Sequence, residues 1–215
     1  MILENKLGIT DSAELARAEE RISKAKAILI FEKGLTGDPK AGSMEAILEI
    51  HRTLFNEIYS FAGKIRTVNL SKGNFRFASA MYLESALKKV AAMHQSTFEE
   101  IIEKYVEMNI VHPFREGNGR STRIWLDQIL KQELNQVIDW SRVDKDDYLS
   151  AMERSPVKDV EIKALLKQAL TGKIHDACIF MKGIDASYHY EGYDVFKTEN
   201  LGKGVMPDRD KGMSM

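Results

Sequence analysis

The chain has 215 residues, a length that suits one large domain or one domain with appendages. Its 31 basic and 32 acidic residues leave a formal net charge of −1, which argues against nucleic acid as the main partner, and 44% hydrophobic residues suffice for a real core. A single cysteine, Cys178, excludes an intramolecular disulfide and reads as a small buried apolar residue in a reducing compartment. No apolar run follows the N-terminus, and Ala27 to Phe31 is too short to cross a bilayer, so a soluble cytoplasmic protein with no membrane contact is expected.

Residues 1–42 read as an N-terminal helical extension. Asp11-Ser12-Ala13-Glu14 carries a capping signature ahead of Leu15, Ile22 and Ala25, which predicts a helix through Phe31. The charge run from Arg17 to Lys26 reads as a solvated face. Gly34, Gly37, Asp38, Pro39 and Gly42 then mark a loop. Residues 43–173 read as the core unit. Ser43 is a favoured N-cap, and Ile47, Ile50, Leu54 and Ile58 form an apolar stripe at helical spacing, so a core helix ending near Gly63 is predicted.

Residues 67–79 change period. Val68 and Leu70 alternate, as do Phe75 and Phe77, around the turn cluster Ser71-Lys72-Gly73-Asn74, a β-hairpin signal. An isolated hairpin leaves an edge that an extended peptide can join through main-chain hydrogen bonds. Tyr82 to Met93 and Phe98 to Ile110 read as helices. Another is predicted from Asn118, with Leu126, Ile129, Leu130 and Leu134 on its buried face. Asp144 caps a helix through Met152, Pro156 marks a break, and Val160 to Leu170 form a helix stopped at Gly172. His51, His94 and His175 show no metal-ligand spacing and receive no role. Residues 174–197 form a last helical region in which Ser187 and Glu191 share a face, with Gly192 at its end. Residues 198–215, without periodicity, are expected to be a disordered tail. The whole is mostly helical, an all-α fold with one small β-hairpin.

The densest chemistry is Ile110-Val-His-Pro-Phe-Arg-Glu-Gly-Asn-Gly-Arg-Ser-Thr-Arg123. His112 titrates near neutrality and can take a proton from a hydroxyl nucleophile. Pro113 restricts the backbone of His112. Glu116 offers a hard oxygen to Mg²⁺, which often needs only one or two protein carboxylates beside phosphates and water. Gly117 and Gly119 allow a sharp turn and close approach to an anion. Asn118 reads as the N-cap of the following helix, whose N-terminus favours phosphate. Arg120 and Arg123, three apart, can bind non-bridging phosphate oxygens. No Lys-Ser/Thr pair follows the second glycine, so this is not a P-loop.

This stretch resembles the motif of Fic-domain proteins, His-Pro-Phe-x-(Asp/Glu)-Gly-Asn-Gly-Arg-x-x-Arg, at every specified position from His112 to Arg123. Leu54-Phe55 and Phe61-Ala-Gly-Lys-Ile-Arg66 look like the family's lead-in, and the resemblance spans roughly residues 45–193. It implies a protein adenylyltransferase that moves AMP from ATP to a Ser, Thr or Tyr hydroxyl of a target protein, itself included. In that scheme His112 is the base, and Gly117, Asn118, Gly119, Arg120 and Arg123 hold the phosphates. Glu116 holds Mg²⁺ or another divalent cation. The hairpin becomes a target-docking flap carrying Val68, Leu70, Lys72, Gly73 and Phe75. Ser187-x-x-x-Glu191-Gly192 resembles the family's inhibitory motif, in which Glu191 pairs with Arg123 in place of the ATP γ-phosphate. The resemblance leaves open a de-AMPylating enzyme in which Glu191 aligns water, a non-catalytic nucleotide-binding module, and homo-oligomerisation.

Overall fold

The computed structural model describes residues 2–72 and 75–191. Gly73, Gly192 and the predicted tail at 198–215 lie outside the described residues, as do the side chains of Lys72 and Glu191.

Helix α1, Ser12–Lys33, starts where the Asp11 side chain accepts from the Glu14 N–H. Helix α2, Met44–Phe55, starts where Ser43 accepts from the Ala46 N–H, 3.1 Å. Each cap satisfies one donor that a helix N-terminus otherwise leaves open, worth about 1 kcal/mol. Strands β1, Ser71–Lys72, and β2, Phe75–Arg76, pair antiparallel with Ser71 opposite Arg76 and Lys72 opposite Phe75. A 3₁₀ turn at Ala80–Tyr82 leads into α3, Leu83–Ala92. Helix α4, Phe98–Val111, opens on a full capping box between Thr97 and Glu100. Helix α5, Asn118–Leu134, follows after a six-residue loop and is the centre of the core. Its Ile124, Trp125, Leu126, Ile129 and Leu130 are buried, and it packs against α2, α4 and α8, Ala177–Glu191. Helices α6, Lys145–Arg154, and α7, Val160–Gln168, complete the bundle.

Several expectations change. A second two-stranded ladder joins β3, Val137–Ile138, to β4, Leu170–Thr171, closing the chain between the ends of α5 and α7. Two-residue strands are too short to leave an alternating signature. The flap strands take in Ser71 and Lys72, which had read as turn, while Val68 and Leu70 precede them; the Phe77 N–H still reaches the Leu70 carbonyl at 3.2 Å. Helix α2 stops at Phe55 rather than near Gly63; Ile58 and Tyr59 stay buried in the turns that follow. Cys178 is exposed.

The charge run of α1 is the largest departure. Glu19, Glu20, Ser23 and Lys24 are all buried, because α1 lies against both α2 and α8. Lys24 pairs with Glu20 and with Asp185 of α8, each at 2.7 Å. Ser23 shares a hydrogen bond with the Tyr188 hydroxyl. Among the described residues no helix is long and apolar enough to cross a membrane.

Candidate active site

Helix α4 ends because His112 turns into the left-handed region, at φ 50° and ψ 65°. That conformation costs a non-glycine residue about 1 kcal/mol or more, so the surroundings must hold it. They do so from both sides. The His112 N–H stays on the Met108 carbonyl, 3.0 Å, while its own carbonyl accepts from Arg66 Nε at 2.7 Å. The imidazole stacks on Phe77, with centroids 3.7 Å apart and planes 16° off parallel. The residue after β2 therefore touches the candidate base directly.

The rest of the loop is pinned by side chains. Phe114 is fully buried and stacks on His51, centroids 3.7 Å apart. Asn118 donates to the Phe114 carbonyl and accepts its N–H, both at 2.8 Å. It is the first residue of α5 and not its cap; the cap position is Gly117, at φ 76°. A Cβ at Gly117 would lie 2.4 Å from Phe55 Cε2, so packing and backbone both demand glycine there. With the Asn118 amide engaged in the loop, what this turn offers an anion is its backbone. The first N–H bonded within α5 is that of Ser121, to the Gly117 carbonyl at 3.1 Å.

A cavity of about 380 Å³ gathers His112, Gly119 and Arg123 with Phe75 and Phe77 of the hairpin region, Tyr148 and Met152 of α6, and Tyr190 of α8. Arg123 sits inside an aromatic cage. Its guanidinium carbon lies 4.7 Å from the Trp140 ring centroid, 5.0 Å from Tyr148 and 4.7 Å from Tyr190, and Nη1 donates to Ser187 Oγ at 2.8 Å. Gly183 lets α8 approach, since a Cβ there would meet Trp140 Cδ1 at 2.8 Å. One turn after Arg123, burial pushes the Asp127 carboxyl up to about 7 against the pull of the Ile138 N–H and of Arg123.

Glu116, Gly117, Asn118 and Arg120 are not among the residues that line this cavity. Arg120 is buried, with Nη2 on Glu116 Oε1 at 2.7 Å and Nη1 on Glu19 of α1 and on the Tyr188 hydroxyl, 3.1 Å. Glu116 Oε1 also accepts the Gly117 N–H at 2.9 Å. Tyr188 therefore faces α1, whereas Tyr190 lines the cavity. Val68 and Leu70 do not line it; Phe75 does. Ser187 is brought to Arg123, and Glu191 is the last residue of α8.

Three residues escaped the sequence reading. His51 accepts the Gly63 N–H on Nδ1, 2.8 Å, so its Nε2–H donates to the Glu116 carbonyl, 3.0 Å. Burial, with a smaller push from Arg120, lowers its pKa to about 3 despite the Glu116 carbonyl. A polar ring on the stripe of Ile47, Ile50 and Leu54 was the available signal. Glu19 likewise falls on the stripe of Leu15, Ala27 and Ile30. Arg66 alternates with Val68 and Leu70, which placed a cation on an apolar side.

His51 has a pH consequence. Its folded pKa is depressed, so the unfolded chain binds a proton below about 6.5 that the folded chain refuses until about 3, and stability from this group is lost as pH falls through that window. Gln at this position supplies both a donor and an acceptor and does not titrate. Relative to the native chain, His51→Gln is expected to gain about 1.4 kcal/mol for each pH unit between roughly 6 and 4. Urea denaturation of both proteins across that range measures it; parallel pH curves would show that His51 is not held neutral.

The model of the Fic/DOC family matches residues 42–130. The protein adenylyltransferase VbhT of Bartonella schoenbuchensis is 31% identical over 182 residues, which cover 79% of this chain but 37% of VbhT. The probable protein adenylyltransferase Fic of Salmonella typhimurium is 27% identical over 79% of this chain and 88% of its own length. Among solved structures, the BepC protein of Bartonella tribocorum with bound AMPPNP shares the fold at a TM-score of 0.69 and 18% identity, over 80% of this chain and 93% of BepC. The loop at the head of α5 lies within the matched stretch, and residues 42–130 of this chain form a domain of the Fic/DOC family.

Proposed function

We propose that the chain transfers AMP from ATP to a hydroxyl side chain of a target protein and releases pyrophosphate. The observation that carries this reading is the single cavity holding an imidazole, a caged guanidinium and the head of α5 beside the hairpin. In the reaction the hydroxyl oxygen attacks the α-phosphorus, its proton passes to His112, and the bond to pyrophosphate breaks. The N–H groups at the head of α5 hold phosphate oxygens, and Arg123 receives the γ-phosphate. Arg120 acts from behind, fixing Glu116. Among the described residues no three acidic, histidine or cysteine groups cluster as a metal site. A divalent cation would rest on Glu116, whose side chain is partly exposed, and on the substrate's own phosphates, where it would neutralise charge on the leaving group. The hairpin edge, with Phe75 at the cavity wall, suits an extended target segment, and the chain's own hydroxyls are included among the candidates.

The proposal extends to self-restraint. Ser187 already engages Arg123, and position 191 follows one turn later on the same helical face. A carboxylate there competes with the γ-phosphate for Arg123. Removing such a charge-assisted contact, worth about 1.5–3 kcal/mol, raises the available site roughly tenfold to a hundredfold. Glu191→Gly is therefore expected to increase incorporation of label from ATP marked at the α-phosphorus into proteins of a cell lysate, resolved by mass spectrometry. Equal incorporation by both proteins would remove the brake and keep the transfer; absence of incorporation from either would remove the transfer itself.

A further inference from the structure

Arg66 follows the turns after α2 and precedes the hairpin, and it is 3% exposed. Its charge meets no carboxylate among the described residues; it meets carbonyls. Nε donates to His112 at 2.7 Å, Nη1 to Val68 at 2.5 Å, and Nη2 to Ala78 at 2.6 Å and Val111 at 3.2 Å. Its own N–H donates to the Pro113 carbonyl at 2.8 Å. Val68 lies on the chain entering the hairpin, and Ala78 on the chain leaving it. Val111 and His112 are the junction of α4 with the catalytic loop. One planar cation thus gathers both roots of the flap and the peptide of the candidate base. The Ala78 N–H adds a main-chain bond to the Ile110 carbonyl, 3.0 Å, so the roots and the junction are laced together twice.

We propose that Arg66 is a positioning residue that sets the register between the flap, where the target segment would dock, and the imidazole that would deprotonate its hydroxyl; this rests on the transfer reading. The geometry needs a guanidinium. Five donors in a rigid fork reach carbonyls in several directions at once, whereas an ammonium is a point charge on a flexible stem. His112 also sits in a costly backbone conformation, and the carbonyl that Arg66 holds belongs to that residue. A small error in placing a nucleophile against its base lowers rate far more than it lowers binding. The hydrogen bonds of Arg66 go to the flap roots and to the junction of α4 with the loop, and none of those described goes to the head of α5 or to Arg123.

The test uses Arg66→Lys in the Glu191→Gly background. Incorporation of AMP into lysate proteins at saturating ATP should fall by at least about tenfold, while affinity for a non-hydrolysable ATP analogue stays within about threefold. Full incorporation by a folded Lys variant overturns the proposal, as does loss of nucleotide affinity in step with incorporation, the mark of a merely structural residue. Hydrogen exchange on the native chain reads the same device without transfer or a variant. The amides of Arg66 and Ala78, bonded to the Pro113 and Ile110 carbonyls, should open together with one common protection factor. Independent opening overturns the proposal even where Glu191→Gly transfers normally. Joint opening with no incorporation by Glu191→Gly itself places the failure in the transfer reading.

Discussion

Arg120→Met is expected to lower the unfolding free energy by about 3–5 kcal/mol, the range for stripping one partner from a buried ion pair. Arg120 lies 5.1 Å from the Phe55 ring centroid and 4.8 Å from that of Tyr188, with Glu19 and Glu116 on its two terminal nitrogens. Methionine fills much of the same space, so the loss is not chiefly a cavity. What remains is the Glu19 carboxylate, buried on α1 and facing the Tyr59 hydroxyl. Burial and the Glu19 charge push the Tyr59 phenol upward, so it stays protonated and donates, but one neutral donor does not balance a buried anion. For a chain of this size the loss corresponds to a fall of roughly 6–20 °C in the thermal midpoint. Adding Glu19→Gln removes the stranded charge, and the double variant should recover at least half of the loss. A single-variant loss below about 1 kcal/mol, the scale of an exposed pair, would show that the network is hydrated.

The same network explains what was legible in the sequence. Local rules reached the helices, since Asp11, Ser43, Thr97 and Asp144 all accept from N–H groups of their own first turns. They also reached the loop from His112 to Arg123, whose spacing is contained in one bend and one helical turn. They stopped where a residue's partner is distant in sequence. Glu19 reads as part of a hydrated charge run until α1 is seen to press it onto Arg120. His51 has no ligand spacing because it serves a carbonyl, not a metal. Asn118 has the composition of a cap, and only the fold shows its amide clamping Phe114. The aromatic cage of Arg123 draws on the 3₁₀ turn at Trp140, on α6 and on α8, three elements that no periodicity relates.

His112→Asn is expected to cut AMP transfer by about 10² to 10⁴, the contribution of a positioned general base. Alanine removes the base but also places a Cβ-bearing residue without polar compensation in the left-handed region. Asparagine tolerates that region well and carries no group that takes up a proton near neutrality. The pair of variants therefore separates chemistry from backbone. The loop should keep its shape in His112→Asn, because Phe114, Asn118 and the carbonyl at position 112 are held by partners other than the imidazole. Binding of an ATP analogue should stay within about threefold, since Arg123 is held by Ser187 and its aromatic cage and the head of α5 offers its own backbone. Label from the α-phosphorus gives the rate. Loss of transfer in His112→Ala with near-native transfer in His112→Asn would mean that position 112 serves the loop's conformation, and that the proton leaves by another route.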